Sequence, residues 1–207
     1  MKILHVSDIH CSYEALEALL ERVSGLPLDL ITVTGDVECN EELIDILTKL
    51  GPSLVYVSGN MDDVGLVKKF DERGLSVNTK LVELKGYVVC GIGALGFRAS
   101  LEALSRKLRE YAGSLEGRLI VLSHFPPRAE KIDLALGRIH AGSKELRHFI
   151  EEFEPVVSMH GHIHEAPGSE FIGKTLAVNA GPLRYGYYAL IDVEKRSAEI
   201  LRLWERI

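Results

Sequence analysis

In the first third of the chain three apolar runs each stop abruptly at acids, amides or imidazoles. No other feature constrains the fold so strongly. Ile3-Leu4-His5-Val6-Ser7 leads into Asp8-Ile9-His10, Leu28 to Thr34 ends at Gly35-Asp36, and Leu54 to Ser58 ends at Gly59-Asn60-Met61-Asp62. Between the runs lie stretches with helical apolar spacing: Leu16, Leu19, Leu20 and Val23 after Ser12, then Leu43, Leu47 and Leu50 after the N-cap candidate Asn40, stopped by Gly51-Pro52. Strand-helix-strand units cross over right-handedly and make parallel strands, so the three carboxyl ends share one sheet edge. Ligands bind at such an edge, and residues two apart in extended chain face the same way. Asp8 and His10 can therefore share one target.

The second half is more mixed. Leu81 to Leu84 and Tyr87 to Cys90 read as a hairpin around Lys85-Gly86, followed by a helix carrying Leu101, Leu104, Leu108 and Tyr111. Leu119 to Ser123 reads as a strand ending at His124. A long irregular segment then runs to Gly142 and includes His140. Segments that long are usually functional. A helix buried through Leu146, Phe149, Ile150 and Phe153 precedes the strand Val156 to Met159, which leads into His160-Gly161-His162-Ile163-His164. Thr175 to Val178, Tyr187 to Val193 and Ala198 to Trp204 read as strands of a meander.

The 207 residues suit one compact domain spanning 1–207, with an ordinary 46% hydrophobic and 26% charged content. No apolar run approaches the roughly 20 residues that cross a bilayer, and Asp8 and His10 interrupt the first run before a signal-peptide core could form. The expectation is a cytoplasmic protein without a membrane partner. A net charge of -6 disfavours extended nucleic acid. Cys11, Cys39 and Cys90 are odd in number and lack CxxC spacing, which favours reduced thiols over a disulfide or a thiolate metal site. The absence of glutamine and the presence of only four asparagines lean towards thermophile composition.

Asp8-x-His10, Gly35-Asp36, Gly59-Asn60, His124 and Gly161-His162-x-His164 together resemble the calcineurin-like metallophosphoesterases. That family's pattern is DxH, GD, GNHD or GNHE, a lone His, then GHxH, and the resemblance spans nearly the whole chain. His140-Ala141-Gly142-Ser143 and the run from Gly161 to Asn179 are further similar to a prokaryotic branch of cyclic-nucleotide-phosphodiesterase-like members. The resemblance implies an α/β fold, a four-layer α-β-β-α sandwich of two mixed sheets flanked by helices. It implies Asp8, His10 and His164 as ligands of one divalent ion, Asn60, His124 and His162 as ligands of a second, and Asp36 as the bridge, with Asn60 also catalytic. Two carboxylates, four imidazoles and an amide suit Mn, Fe, Zn, Co or Ni, and Mn is the expected metal. Two divalent ions against two carboxylates leave about +2, or about +1 with a bridging hydroxide, which attracts a small phosphoester even to an acidic protein. Such a hydroxide attacks phosphorus in line.

The chain departs from the pattern at Met61, where the family has the His credited with assisting the leaving group. Methionine cannot move a proton. Phosphodiesters and other esters with good leaving groups are therefore the expected substrates, with His140 the candidate replacement acid and Asp62 left as a helix N-cap beside Asp63. His160 is expected to orient a ligand, and His5 and His148 to be structural. The rival function is a binding scaffold, as in the retromer subunit that resembles this family. Gly168 to Thr175 fits a P-loop expression but lacks the strand before and helix after it, so a hairpin is expected. Gly91 to Gly96 imitates a dinucleotide fingerprint without the acid at the next strand end. Oligomeric state is not written in the chain.

Overall fold

The apolar runs become strands whose carboxyl ends line up as the crossover rule requires. The computed structural model describes residues 1–111 and 113–204. Within them, β1 (Lys2–Val6), β2 (Leu30–Val33) and β3 (Leu54–Tyr56) are parallel, with His5 opposite Thr32 and Thr32 opposite Val55. The helices α1 (Tyr13–Val23), α2 (Glu41–Leu47) and α3 (Val64–Glu72) follow them in turn. Asn40 caps α2 by accepting from the Glu42 N–H, as its position predicts. The hairpin β4 (Leu81–Leu84) and β5 (Tyr87–Ile92) opens the second sheet, followed by α4 (Phe97–Glu110) and β6 (Leu119–Ser123). A short ribbon, β7 (Leu134–Ala135) with β8 (Ile139–His140), interrupts the segment expected to be irregular. Then come α5 (Lys144–Phe153), β9 (Val157–His160), β10 (Gly168–Ile172), β11 (Thr175–Asn179), β12 (Tyr187–Asp192) and β13 (Ser197–Arg202).

The strands assemble as two mixed sheets, ordered β13-β12-β1-β2-β3 and β10-β11-β9-β6-β5-β4. Side chains alternate across each strand, so each sheet feeds two cores. On β1, Ile3 enters the core between the sheets with Leu30, Val55, Val89, Ile120 and Val157, while Leu4 and Val6 turn outward to Leu16, Leu19, Leu43, Leu47 and Phe70. On the far side Val88, Cys90 and Val121 pack against Leu104 and Leu108 of α4 and Leu146, Phe149 and Ile150 of α5. Three stacked cores make the four layers. Among the described residues no helix is long and apolar enough to cross a membrane.

Three expectations need correction. The last strands are not one meander: β11 lies beside β9 in the second sheet, whereas β12 and β13 belong to the first. The chain crosses between sheets at Ala180 to Gly186, where Gly181-Pro182 and a turn of 3-10 helix, Leu183–Tyr185, prevent a tight hairpin. Cys11 and Cys39 form a disulfide with Cα atoms 5.2 Å apart, leaving Cys90 as the buried free thiol. Parity misled because neighbouring strands bring the two loops together over a separation of 28 residues. Closing a loop of that size is worth roughly 3 to 4 kcal/mol in the chain-entropy account. Asp62 caps no helix; Asp63 does, through the Leu66 N–H. The P-loop imitation is the β10–β11 hairpin, as expected, turning at Gly173.

Candidate metal centre

Each candidate ligand stands within four residues beyond a strand end: Asp8 and His10 after β1, Asp36 after β2, Asn60 after β3, His124 after β6, His162 and His164 after β9. These are the carboxyl ends of parallel strands in both sheets, and they meet. His124 Nδ1 lies 2.7 Å from the Thr34 carbonyl, and the His162 N–H donates to Asp8 Oδ2 at 3.0 Å, so each sheet's loops are bonded to the other's. Gly161 permits this approach, since a Cβ there would collide with Ser7 Oγ and Asp8 Oδ2. A Cβ at Gly59 would likewise strike Asp36.

The side chains gather as two trios, Asp8 with His10 and His164, and Asp36 with His124 and His162, each with donor atoms within 4.8 Å of one another. In the first, His164 Nε2 is 3.1 Å from Asp8 Oδ1 and 3.3 Å from His10 Nε2. In the second, His124 Nε2 is 3.4 Å from Asp36 Oδ2, 3.2 Å from His162 Nδ1 and 2.9 Å from Asn60 Oδ1. The donor set fits a divalent ion in each. Two neutral imidazoles meeting nitrogen to nitrogen share one proton at best, whereas a cation between them satisfies both lone pairs. Ligand atoms about 2.0–2.2 Å from one ion stand apart by spacings like these.

The backbone is held where it would not rest alone. Asp8, His10, Asp36 and His162 have φ of 52°, 46°, 52° and 68°, in the left-handed region that costs about 1 to 3 kcal/mol per non-glycine residue. Asp62 does much of the holding. Its buried carboxylate accepts from the N–H groups of Asp36 (3.1 Å), Val37 (2.7 Å), Glu38 (3.0 Å) and Gly59 (2.8 Å) and from the Tyr56 hydroxyl (2.7 Å). Asp36 Oδ1 in turn accepts from the Met61 N–H at 2.9 Å.

The buried carboxylates and imidazoles are electrostatically paired. Burial pushes the Asp8 carboxyl up, but the His164 hydrogen bond and the charge of His124 outweigh it and hold it down to about 2. Burial also opposes Asp36, and His124 again wins, keeping it below the usual carboxylate range. Burial and the neighbouring His124 lower His162. The same contacts raise His164, through Asp8, and His124, against its burial through Asp36, so an ion binding between ionised carboxylates and neutral imidazoles must displace those protons.

Other histidines fall outside both trios. His140 Nδ1 faces the buried Asp133 at 2.9 Å, and the ribbon that carries it is tied to the centre's edge by the Leu136 N–H, which donates to Glu165 Oε1 at 2.8 Å. The His160 ring makes no hydrogen bond to a candidate ligand and is enclosed, with burial and the adjacent His5 holding its pKa down to about 3. Its carbonyl instead lies 2.9 Å from His5 Nε2, pinning the two sheets together. His148 is exposed beside Glu151.

Sequence reasoning missed several neighbours. Glu38 Oε2 lies 3.1 Å from His10 Nδ1. The Arg184 N–H donates to the Asp8 carbonyl at 3.3 Å, its guanidinium sits 5.2 Å from the Tyr185 ring centre, and that ring meets the His164 ring edge-on at 6.4 Å. Phe125 packs edge-on to His162 at 4.7 Å. A carboxylate two residues beyond Asp36 was a usable signal for Glu38; Arg184 had none, since only the sheet crossing places it there.

The calcineurin-like phosphoesterase superfamily domain matches residues 1–196. An uncharacterized protein of Methanocaldococcus jannaschii is 28% identical over 205 residues, covering 91% of each chain. Among solved structures, TT1561 of Thermus thermophilus superposes with a TM-score of 0.76 at 22% identity, covering 98% of this chain and 99% of that one. A protein described as a novel archaeal phosphodiesterase gives 0.64 at 16% identity, with the same coverage. Vacuolar Protein Sorting 29 of Cryptosporidium parvum gives 0.54 at 13% identity, covering 97% and 95%.

Proposed function

The chain belongs to the calcineurin-like phosphoesterase superfamily, and we propose that within it this protein hydrolyses small phosphodiesters and other phosphoesters with good leaving groups, using two divalent ions. Asp8, His10 and His164 would hold one ion and Asn60, His124 and His162 the other, with Asp36, grouped with His124 and His162, as the carboxylate that would serve both; manganese is the favoured metal. The observation that carries this reading is the convergence of four strand ends from two sheets into two N/O trios, each with a pair of imidazoles meeting nitrogen to nitrogen, with Asn60 from a fifth strand end against the second. When bound, the ions supply Lewis-acid charge and an activated water.

The chain's own residues do the remainder. Asp62 fixes the loop that aims Asp36, and Asn60 brings an amide oxygen to His124. The Arg184 backbone N–H holds the Asp8 carbonyl, and its guanidinium lies over the Tyr185 ring that meets His164, where it can draw an anionic substrate. Met61 is 58% exposed beside Asn60 and offers no proton, so the departing oxygen leaves unassisted at that position. Weakly basic leaving groups tolerate this. His140 is the reserve acid, its Nδ1 steadied by Asp133.

The test is to count ions in manganese-loaded protein and to assay an aryl phosphodiester, an aryl monoester and an alkyl monoester. The diester should turn over fastest. Asp36→Asn should lose roughly 10³-fold, since the several kcal/mol of charge stabilisation at stake convert at 1.36 kcal/mol per tenfold. Bound metal without turnover on any of the three esters would overturn the enzyme reading in favour of a binding scaffold, the alternative that the missing acid at Met61 favours.

A further inference from the structure

Beyond their strands the loops after β1 and β2 run side by side, and they carry Asp8, His10 and Asp36. The Asp8 N–H donates to the Gly35 carbonyl at 3.1 Å, His10 to Asp36 at 2.9 Å and Cys11 to Val37 at 3.2 Å. His10, Cys11, Asp36 and Glu38 all have positive φ, so this path is imposed by its restraints and not by local preference. The Cys11–Cys39 disulfide closes it, one sulfur immediately after His10 and the other immediately after Glu38.

We propose that Cys11 and Cys39 are a redox modification site that sets the metal affinity of the Asp8, His10 and His164 half of the centre, with Glu38 as the positioning residue that transmits the change to His10. This rests on the metal reading above. Glu38 Oε2 holds His10 Nδ1 at 3.1 Å while His10 Nε2 faces the trio, which is how an outer carboxylate fixes the tautomer and aim of a metal-binding imidazole. Glu38 owes its place to two ties, the Asp62 carboxylate on its N–H and the disulfide on the residue after it. Only the second can be undone by a reagent. Cys11 is exposed and Cys39 partly exposed, whereas Cys90 is enclosed.

The reaction is ordinary thiol–disulfide exchange with a small dithiol. Its thiolate attacks the exposed Cys11 sulfur, the Cys39 sulfur leaves and takes a proton, and the reagent's second thiol closes on the mixed disulfide to release Cys11. Two electrons and two protons pass to the protein, and the reagent ends as a cyclic disulfide. Intracellular disulfides persist in hyperthermophiles, the direction in which a chain without glutamine leans, so such a bond is compatible with the cell interior.

The experiment starts from protein purified without reductant. Alkylation after denaturation should find one free thiol, and three after reduction. Manganese is then titrated calorimetrically into the oxidised protein, the reduced and desalted protein, the Cys11→Ser/Cys39→Ser protein and Glu38→Gln. One of two binding steps should weaken by about 10-fold or more in the last three, the range typical of losing an outer-shell partner, while the other step stays unchanged. Reduction should add little to Glu38→Gln, because both act through one contact. Glu38→Asp should restore part of the affinity, and amide exchange in residues 8–12 and 36–40 should quicken on reduction. Should the serine pair fail to fold, reduced wild type and Glu38→Gln still decide the matter. Three free thiols before reduction, or two binding steps indifferent to reduction, would overturn the proposal alone. No manganese binding in any state would overturn the metal reading, and this with it.

Discussion

The two halves of the centre are enclosed differently. Asp36 and His124 sit against the interior and only His162 of their trio is partly exposed: His124 is fully buried and anchored to the Thr34 carbonyl, and Phe125 covers the edge of His162. Asp8 is equally buried, but its partners His10 and His164 are partly exposed and answer to surface groups, Glu38 on one side and Tyr185 on the other. One half is made by packing and the other by loops. Local opening costs least where few buried contacts hold a segment, so the inner ion should exchange slowly and the outer ion readily.

The largest expected effect breaks that contrast directly. His124→Ala should lose roughly 10³-fold in turnover and not recover with added manganese, whereas His10→Ala should recover most of its activity at excess metal. Equal, unrecoverable losses in the two variants would erase the distinction. Asp62→Asn comes next, because it turns an amide towards N–H groups that now share a carboxylate. A stability loss of about 3 kcal/mol by denaturant unfolding is expected, with the inner ion lost too; a loss under about 1 kcal/mol would mean the loop is held elsewhere.

Acid should then probe the seam beneath both halves. Burial pushes His5 down to about 4, against its bonds to His160 and Thr32. The unfolded histidine, near 6.5, takes its proton first, so stability is fully present above pH 6.5 and falls as pH drops towards 4, by roughly 3 kcal/mol. Unfolding curves at pH 7 and pH 4.5 check this, and His5→Gln should reduce the difference without abolishing it, because burial holds His160 down to about 3 in the same way. Smallest is a gain. Met61→His should speed alkyl monoester hydrolysis roughly 10²-fold, the lower end of general-acid effects, without changing metal content. No gain would show that the exposed position beside Asn60 does not face the departing oxygen.

Strands and helices were legible where periodicity is local: β6 spans Leu119–Ser123 as expected, and Leu104 and Leu108 pack inward. The candidate ligands were legible because they follow strand ends, a position with chemical meaning before any contact is known. What could not be read depends on which loops lie side by side. Cys11 finds Cys39 only because β1 pairs with β2, and Asp62 forgoes the cap beside it because distant N–H groups outbid a local rule. The split of the last strands follows from Gly181-Pro182, where a turn signal marks a bend without saying which sheet the chain rejoins.

That rejoining has a consequence for the order of events as the chain is made. β1 lies between β2 and β12, with Lys2 opposite Asp192. A nascent chain that has emerged only as far as β11 has one flank of its first strand unpaired, a bare sheet edge at which other chains can add. Pairings across so wide a sequence gap close slowly. The loops beyond β1 and β2 that carry the candidate ligands therefore gain their last backing strand only when β12 docks against β1.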